Sequence, residues 1–136
     1  MSVKEVPWSA VGAVYTKEEI DLVTEVISNT RDTLSQGKYQ KEFEHEFCLY
    51  NGNKDAFAVS SCTAALELAA LITKVGPSDE VIIPAHTFCA TAIPFARTGA
   101  NIVWADIDPE TWVVTAETLE AKIRPKTKSI VAVHLY

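Results

Sequence analysis

The first third of the chain has the spacing of hydrophobic residues that amphipathic helices require. Thr16 followed by Glu19 is a capping-box signature for the start of a helix. Apolar side chains then recur on one helical face, at Ile20, Val23 and Ile27. This pattern predicts a helix over about residues 17–30. A polar turn follows, and then a second predicted helix that carries Phe43 and Phe47 one helical turn apart.

From residue 56 onward the pattern changes to short apolar runs that alternate with helical segments. The apolar runs that predict strands are 56–59, 80–83, 101–105 and 129–133. The predicted helices between them cover about 63–74, 88–98 and 116–123. Pro94 lies inside the second of these helices and should kink it or shift its start. Strands that alternate with helices predict an α/β fold with a mostly parallel sheet and flanking helices. Because the strands are continuously apolar, we expect both faces of the sheet to be covered.

The sequence reaches its last residue, Tyr136, directly after an apolar strand that no helix follows. A sheet that ended there would leave apolar surface uncovered. We therefore expect these 136 residues to be a fragment of a longer protein.

Composition and charge exclude several classes of function. The net charge of −6 argues against non-specific nucleic-acid binding, which requires clustered Lys and Arg. The one basic stretch, Lys122, Arg124, Lys126 and Lys128, should lie at the end of a helix, where cations interact favourably with the dipole. The N-terminus has no apolar signal-peptide core, and the most apolar helix contains Glu67 and is too short to cross a bilayer. Three cysteines without a CxxC spacing suit a reducing compartment and no metal site. We expect a soluble, cytoplasmic protein that binds neither nucleic acid nor membranes.

Candidate chemistry lies at the carboxyl ends of the strands, where ligands bind in open parallel sheets. The hydroxyl-rich turn at 60–63 precedes a helix N-terminus, which favours a phosphate group, although Ser and Thr are also ordinary helix caps. Phe88 follows the next strand and can stack on a flat ring or simply pack in the core. Together the two features predict a pocket for a flat, phosphorylated cofactor.

With these residues in view, the chain resembles the DegT/StrS class of nucleotide-sugar aminotransferases, which depend on pyridoxal phosphate (PLP). The matching segments, in order, are 37–44 (GKYQKEFE), 58–66 (AVSSCTAAL), 79–88 (DEVIIPAHTF), 98–108 (TGANIVWADID) and 127–136 (TKSIVAVHLY). The resemblance implies an aspartate aminotransferase-like fold. It assigns residues 1–54 to an N-terminal helical entry segment and 55–136 to the first part of the PLP-binding large domain.

The resemblance also implies roles for individual residues. Cys62 and Thr63 would hold the PLP phosphate through backbone amides and the Thr hydroxyl, and Phe88 would stack on the pyridine ring. Cys62 departs from the small Gly or Ala common at its position, but it keeps the amide donor. His86 and Tyr39 are candidates for lining the substrate pocket. No catalytic residue is assigned, because the family's pyridine-facing aspartate and Schiff-base lysine would both follow residue 136.

The implied reaction transfers an amino group, usually from glutamate, to a nucleotide-linked keto-sugar. Such sugars serve cell-surface polysaccharides or secondary metabolites, and the full-length protein is expected to be a homodimer. The fragment alone should be inactive, because it lacks the lysine.

Three alternatives stay open at this point. Some proteins of the same fold are sugar dehydratases or regulators. Asp106 and Asp108 form a DxD pattern, as in metal-dependent glycosyltransferases, although the second aspartate also suits a turn. Cys62 at a helix N-terminus, with His86 as its base, describes a thiol nucleophile.

Overall fold

The structure, a computed structural model, describes residues 15–29 and 35–134. Residue 30, where the first helix was expected to end, lies outside the described residues, as do the N-terminus and Tyr136. The chain divides into two compact units, Met1–Ala58 and Val59–Tyr136. Within the described ranges, no helix is long and apolar enough to cross a membrane.

The described part of the first unit contains two helices, α1 (Lys17–Ser28) and α2 (Lys38–Asn51), and both were predicted. The capping box forms as the sequence indicated: the Thr16 hydroxyl accepts the Glu19 N–H, and the Glu19 carboxylate accepts the Thr16 N–H at 2.6 Å. Gly52 ends α2 with a φ of 66°, a left-handed conformation that glycine adopts without steric cost. Neither helix buries a residue, so α1 and α2 keep their apolar faces exposed.

Three parallel strands form the sheet of the second unit in the order β2-β1-β3. They are β1 (Glu80–Pro84), β2 (Asn101–Ala105) and β3 (Thr127–Ile130). The parallel sheet is therefore confirmed. The central strand is buried on both faces, since Val81, Ile82 and Ile83 have no exposed surface. The outer strands are only partly covered, so the expectation of two covered faces holds for β1 alone.

Helices pack on this sheet around a small apolar core. They are α3 (Cys62–Thr73), a 3₁₀ turn (Cys89–Thr91) and α4 (Ile93–Arg97). The short helix α5 (Ala116–Glu120) follows β2 in the chain and buries no residue. The buried core cluster consists of Ala70, Val75, Val81, Ile83, Phe95 and Ala100. Pro94 lies in the first turn of α4, where its missing N–H costs no helical hydrogen bond. The proline thus shifts the start of the helix, which was one of its two expected effects.

The prediction of a strand at 56–59 is wrong. A strand requires a hydrogen-bonded neighbour, and the described sheet consists of β2, β1 and β3 alone. Within the described residues, 56–59 pairs with no strand; the Ala58 N–H instead donates to the Glu44 carboxylate at 2.8 Å, and Phe57 is 81% exposed.

The basic stretch also differs from its prediction. Helix α5 ends at Glu120, before the first of these cations, so its last turn carries no basic residue. Lys128 instead donates to the Asp79 carboxylate at 3.2 Å, and the Arg124 guanidinium lies 3.8 Å from the Glu80 carboxylate. The stretch therefore holds β3 to the start of β1. Strand β3 begins at Thr127, two residues earlier than the apolar run suggested.

Candidate functional site

The N-terminus of α3 has the features of an anion-binding site. The Ser61 hydroxyl accepts the Ala64 N–H at 3.1 Å and thereby caps the helix. Cys62 and Thr63 form the first turn, are exposed, and donate their N–H groups to no partner within the described part of the chain. The Thr63 hydroxyl is equally unpaired there. Two free amides and a hydroxyl at the positive end of a helix dipole favour a phosphate group.

Phe88 is presented at the carboxyl end of β1. The backbone continues past the strand, and the Ala85 N–H donates to the Ala105 carbonyl at 2.8 Å. The Thr87 and Thr91 hydroxyls lie 2.8 Å apart and tie the following loop to the 3₁₀ turn. The Phe88 ring stays 75% exposed in spite of its hydrophobicity. An exposed aromatic ring on a fixed loop suits a stacking platform for a planar ligand.

These two features lie on adjoining elements of the fold. Helix α3 packs against the 3₁₀ turn, which starts at the residue after Phe88. Both elements lie in the second unit. The residues of the sequence-predicted pocket are therefore carried by elements that contact each other.

His86 contacts Trp112 rather than a thiol. The His86 Nδ1 lies 3.4 Å from the Trp112 carbonyl oxygen, and the two rings meet edge to face with centroids 6.0 Å apart. Both residues line an open cavity of about 300 Å³ beyond the ends of β1 and β2, together with Ala85, Asp106 and Ile107. His86 thus lines a cavity, whereas the described contacts do not pair it with Cys62, and its place near the substrate stays a prediction.

Trp112 is the site-lining residue that the sequence analysis missed. Its φ is 62°, a left-handed conformation that is strained for a bulky side chain. The only signal in the sequence was the turn expected after Asp108, which did not indicate where the indole would point.

Asp108 acts as a turn residue. Its carboxylate accepts the N–H groups of Thr111 at 2.8 Å and Glu110 at 3.0 Å. These bonds, with Thr111 the larger cause, hold the pKa of the Asp108 carboxyl below its ordinary value. The described residues contain no group of three or more His, Cys, Asp or Glu side chains placed to hold a metal ion. The geometry favours the turn interpretation of the DxD pattern over a metal site.

Tyr39, the other residue proposed to line the pocket, is described within the first unit. Its hydroxyl donates to the Glu25 carboxylate at 3.3 Å. Loss of hydration, followed by the charge of Glu25, raises the pKa of the Tyr39 phenol. This bond links α1 to α2, and the role of Tyr39 at the active site stays a prediction.

The family of the chain is decided by comparison with known proteins. The model of the DegT/DnrJ/EryC1/StrS aminotransferase family matches residues 14–136. The chain belongs to this family. As a DegT-family protein, it carries the matched segments on the fold that the resemblance implied.

Two curated relatives match the same share of the chain. The spore coat polysaccharide biosynthesis protein SpsC of Bacillus subtilis is 47% identical over 118 residues, which are 87% of this chain and 30% of SpsC. The GDP-perosamine synthase of Caulobacter vibrioides is 43% identical over 118 residues, which are 87% of this chain and 32% of the synthase. The chain therefore spans about a third of the length of these relatives.

Solved structures place the fold among PLP-dependent enzymes. Spr1654 from Streptococcus pneumoniae, described as a sugar aminotransferase and solved in its PLP form, is 36% identical with a TM-score of 0.74. The alignment covers 86% of this chain and 29% of Spr1654. A GDP-4-keto-6-deoxymannose-3-dehydratase with PLP is 26% identical with a TM-score of 0.78, over 88% of this chain and 32% of the dehydratase. The fold is thus shared by an aminotransferase and a dehydratase.

Proposed function

We propose that the chain is the N-terminal part of a PLP-dependent aminotransferase that transfers an amino group, from glutamate, to a nucleotide-linked keto-sugar. The observation that carries this proposal is the exposed N-terminus of α3, with unpaired amides, on an element packed beside the loop of Phe88. The sugar would enter polysaccharide biosynthesis, as the name of SpsC states for that relative.

The residues present fit the cofactor. Cys62 and Thr63 would hold its phosphate through their free amides and the Thr63 hydroxyl, since a helix N-terminus favours an anion. Phe88 would support one face of the pyridine ring with its exposed side chain. When bound, PLP supplies an electron sink for the carbon that loses or gains the amino group. The chain's own contribution is to bind and orient, because it contains no residue assigned to the proton transfers.

The remaining parts of the proposal concern the whole protein. Residues 1–54 would be an entry segment, and 55–136 the first part of the PLP-binding large domain. The Schiff-base lysine and the pyridine-facing aspartate would come from sequence after residue 136. The complete enzyme would be a cytoplasmic homodimer, with Tyr39 and His86 near the substrate.

The test measures the affinity for PLP of three variants of the protein. Each variant is produced from the complete reading frame of the gene. Thr63→Val removes one hydrogen bond to a charged group, which contributes ~1.5–3 kcal/mol and predicts a loss of roughly 10- to 150-fold. Phe88→Ala removes a stacking contact of ~0.5–1.5 kcal/mol and predicts a loss of roughly 2- to 12-fold. Cys62→Ala keeps the amide donor, so it serves as the control and should change the affinity by less than about twofold.

Each alternative predicts its own outcome when the activity of the same proteins is measured together with their affinity for PLP. Loss of all activity in Cys62→Ala with unchanged PLP affinity would identify a thiol nucleophile and contradict the proposal. Activity that requires Mn²⁺ and ignores PLP would instead support a glycosyltransferase. A PLP-binding protein that removes a hydroxyl from the sugar without adding nitrogen would be a dehydratase of the kind found among the structural neighbours.

A further inference from the structure

The cavity beside His86 is built around a tryptophan in an unfavourable backbone conformation. Trp112 has a φ of 62°, and such a conformation persists in a bulky residue only where its surroundings impose it. Here the Asp108 carboxylate fixes the turn, and the Trp112 N–H donates to the Asp108 carbonyl at 2.8 Å. The result is an indole that is 57% exposed and is held with its ring against His86.

The charge of the lining restricts what this cavity can bind. Of its five lining residues, Asp106 is the acidic one, and none is Lys or Arg. The lining therefore has no Lys or Arg side chain to neutralise a phosphate group. One Asp106 oxygen, Oδ1, accepts the Ile107 N–H at 2.9 Å, whereas Oδ2 has no hydrogen-bond partner among the described residues. The cavity thus offers a flat aromatic surface and a carboxylate oxygen that can accept hydrogen bonds from N–H donors.

We propose that this cavity is the subsite for the nucleobase of the sugar nucleotide and that it selects guanine. The inference rests on the proposed function, which supplies a nucleotide-linked substrate. Guanine stacks on an indole and presents two adjacent donors, N1–H and the exocyclic N2–H₂, which a carboxylate accepts side by side. Uracil and thymine present one N–H between two carbonyl oxygens, which the Asp106 carboxylate repels.

The position of the cavity agrees with this assignment. His86 precedes Phe88 by two residues, and the cavity extends from the end of β1 to the end of β2. His86 itself lines the cavity, and its Cα atom is at most about 7 Å from that of Phe88, so the cavity and the proposed cofactor platform lie beside each other at the carboxyl end of the sheet. A ribose and a diphosphate are long enough to join a base in the cavity to a sugar at that platform.

The experiment measures the binding of free GDP and free UDP by titration calorimetry, with the PLP-loaded protein from the complete reading frame. The wild-type protein should bind GDP roughly 10-fold more tightly than UDP, since a matched bidentate contact discriminates between bases by about this factor or more. Asp106→Asn should remove most of that preference. Glu110→Gln is the matched control, because it removes a carboxylate from the same loop outside the cavity lining, and it should leave both affinities unchanged.

A second pair of variants tests the stacking surface. Trp112→Gly removes the indole and relieves the backbone strain, so the variant should remain folded. The same variant should bind GDP roughly 10-fold more weakly. Trp112→Phe keeps a ring and should retain most of the affinity.

Two outcomes separate this inference from the proposed function. Equal affinities for GDP and UDP in the wild-type protein, or an Asp106→Asn variant that behaves like Glu110→Gln, would overturn the base subsite. The proposed function is tested independently by adding glutamate alone and following the absorbance of bound PLP, which requires no nucleotide. Failure of glutamate to change that absorbance would overturn the proposed function.

Discussion

Gly99 connects α4 to β2 and lies where a side chain cannot fit without adjustment. Its φ is 85°, and a Cβ built at this position would lie 2.9 Å from the Pro77 Cγ. Its N–H donates to the Ala96 carbonyl at 3.0 Å, which ends the helix. Gly99→Ala therefore combines an unfavourable backbone conformation with a steric overlap.

The magnitude follows from the two contributions. A left-handed conformation costs an L-residue roughly 1–2 kcal/mol. Overpacking against a well-placed neighbour typically costs a further ~1–3 kcal/mol. Pro77 is exposed and its ring is free to move away from the new methyl group, so the lower end of the second range applies. We expect Gly99→Ala to lower the free energy of unfolding by about 2–3 kcal/mol.

Urea-induced unfolding, followed by circular dichroism, measures this loss. With a urea dependence of ~1–3 kcal/mol per molar, the midpoint should fall by on the order of 1 M. Gly76→Ala is the matched control: its φ is not in the left-handed region, and nothing lies within 4 Å of the added Cβ. Gly76→Ala should be neutral or stabilising by up to ~1 kcal/mol. Equal midpoints for the two alanine variants would refute the reasoning from conformation and contact.

Three further predictions concern stability. The Gly76 N–H, and after it the Lys128 ammonium, hold the pKa of the Asp79 carboxyl below 3.8. The stability that the ionised Asp79 contributes is therefore present above its unfolded-state pKa and is lost as the pH falls through its folded-state pKa. Urea midpoints measured from about pH 5 downward should therefore fall less steeply in Asp79→Asn than in the wild-type protein. Thr16→Ala removes a capping box and should lower the free energy of unfolding by about 1 kcal/mol. The loss is measured as a weaker helical circular dichroism signal at 222 nm and a lower urea midpoint. An unchanged signal would contradict the capping role. Ile83→Ala should cost ~2–5 kcal/mol in the same urea assay because Ile83 is fully buried, and a loss below about 1 kcal/mol would contradict its place in the core.

The sequence predicted best those elements whose hydrogen bonds are local. The capping box of Thr16 and Glu19 formed as expected, and Pro94 moved the start of its helix. Both outcomes depend on groups within four residues of each other, so the sequence contains the necessary information.

Strand predictions depend on partners elsewhere in the chain and were less complete. Residues 80–83 and 101–105 became paired strands, whereas 56–59, with an equally apolar sequence, pairs with no strand in the part of the chain that the structure describes. Hydrophobic runs indicate burial but do not identify the neighbour. For the same reason the ionic contacts of Arg124 and Lys128 with the start of β1 could not be foreseen.

At the candidate site, the sequence proposed positions in the chain but not the orientations of the side chains. Motifs and strand ends pointed to Cys62, Thr63 and Phe88, and the structure places all three at exposed element ends. Trp112 was missed because its placement depends on a left-handed backbone and a carboxylate turn. Propensities do not predict a tryptophan with positive φ, so only the folded loop reveals its role.

The central position of β1 explains why so much of the candidate site depends on one strand. With β2 on one side and β3 on the other, β1 has no free edge, and its three central side chains are fully buried. A strand fixed on all sides gives the loop that leaves its carboxyl end a rigid starting point. That loop carries both His86, which lines the cavity of Trp112, and Phe88, whose ring forms the proposed cofactor platform. Because both residues leave the same strand, a displacement of β1 would move the two subsites together, and core substitutions such as Ile83→Ala should weaken PLP and nucleotide binding in parallel.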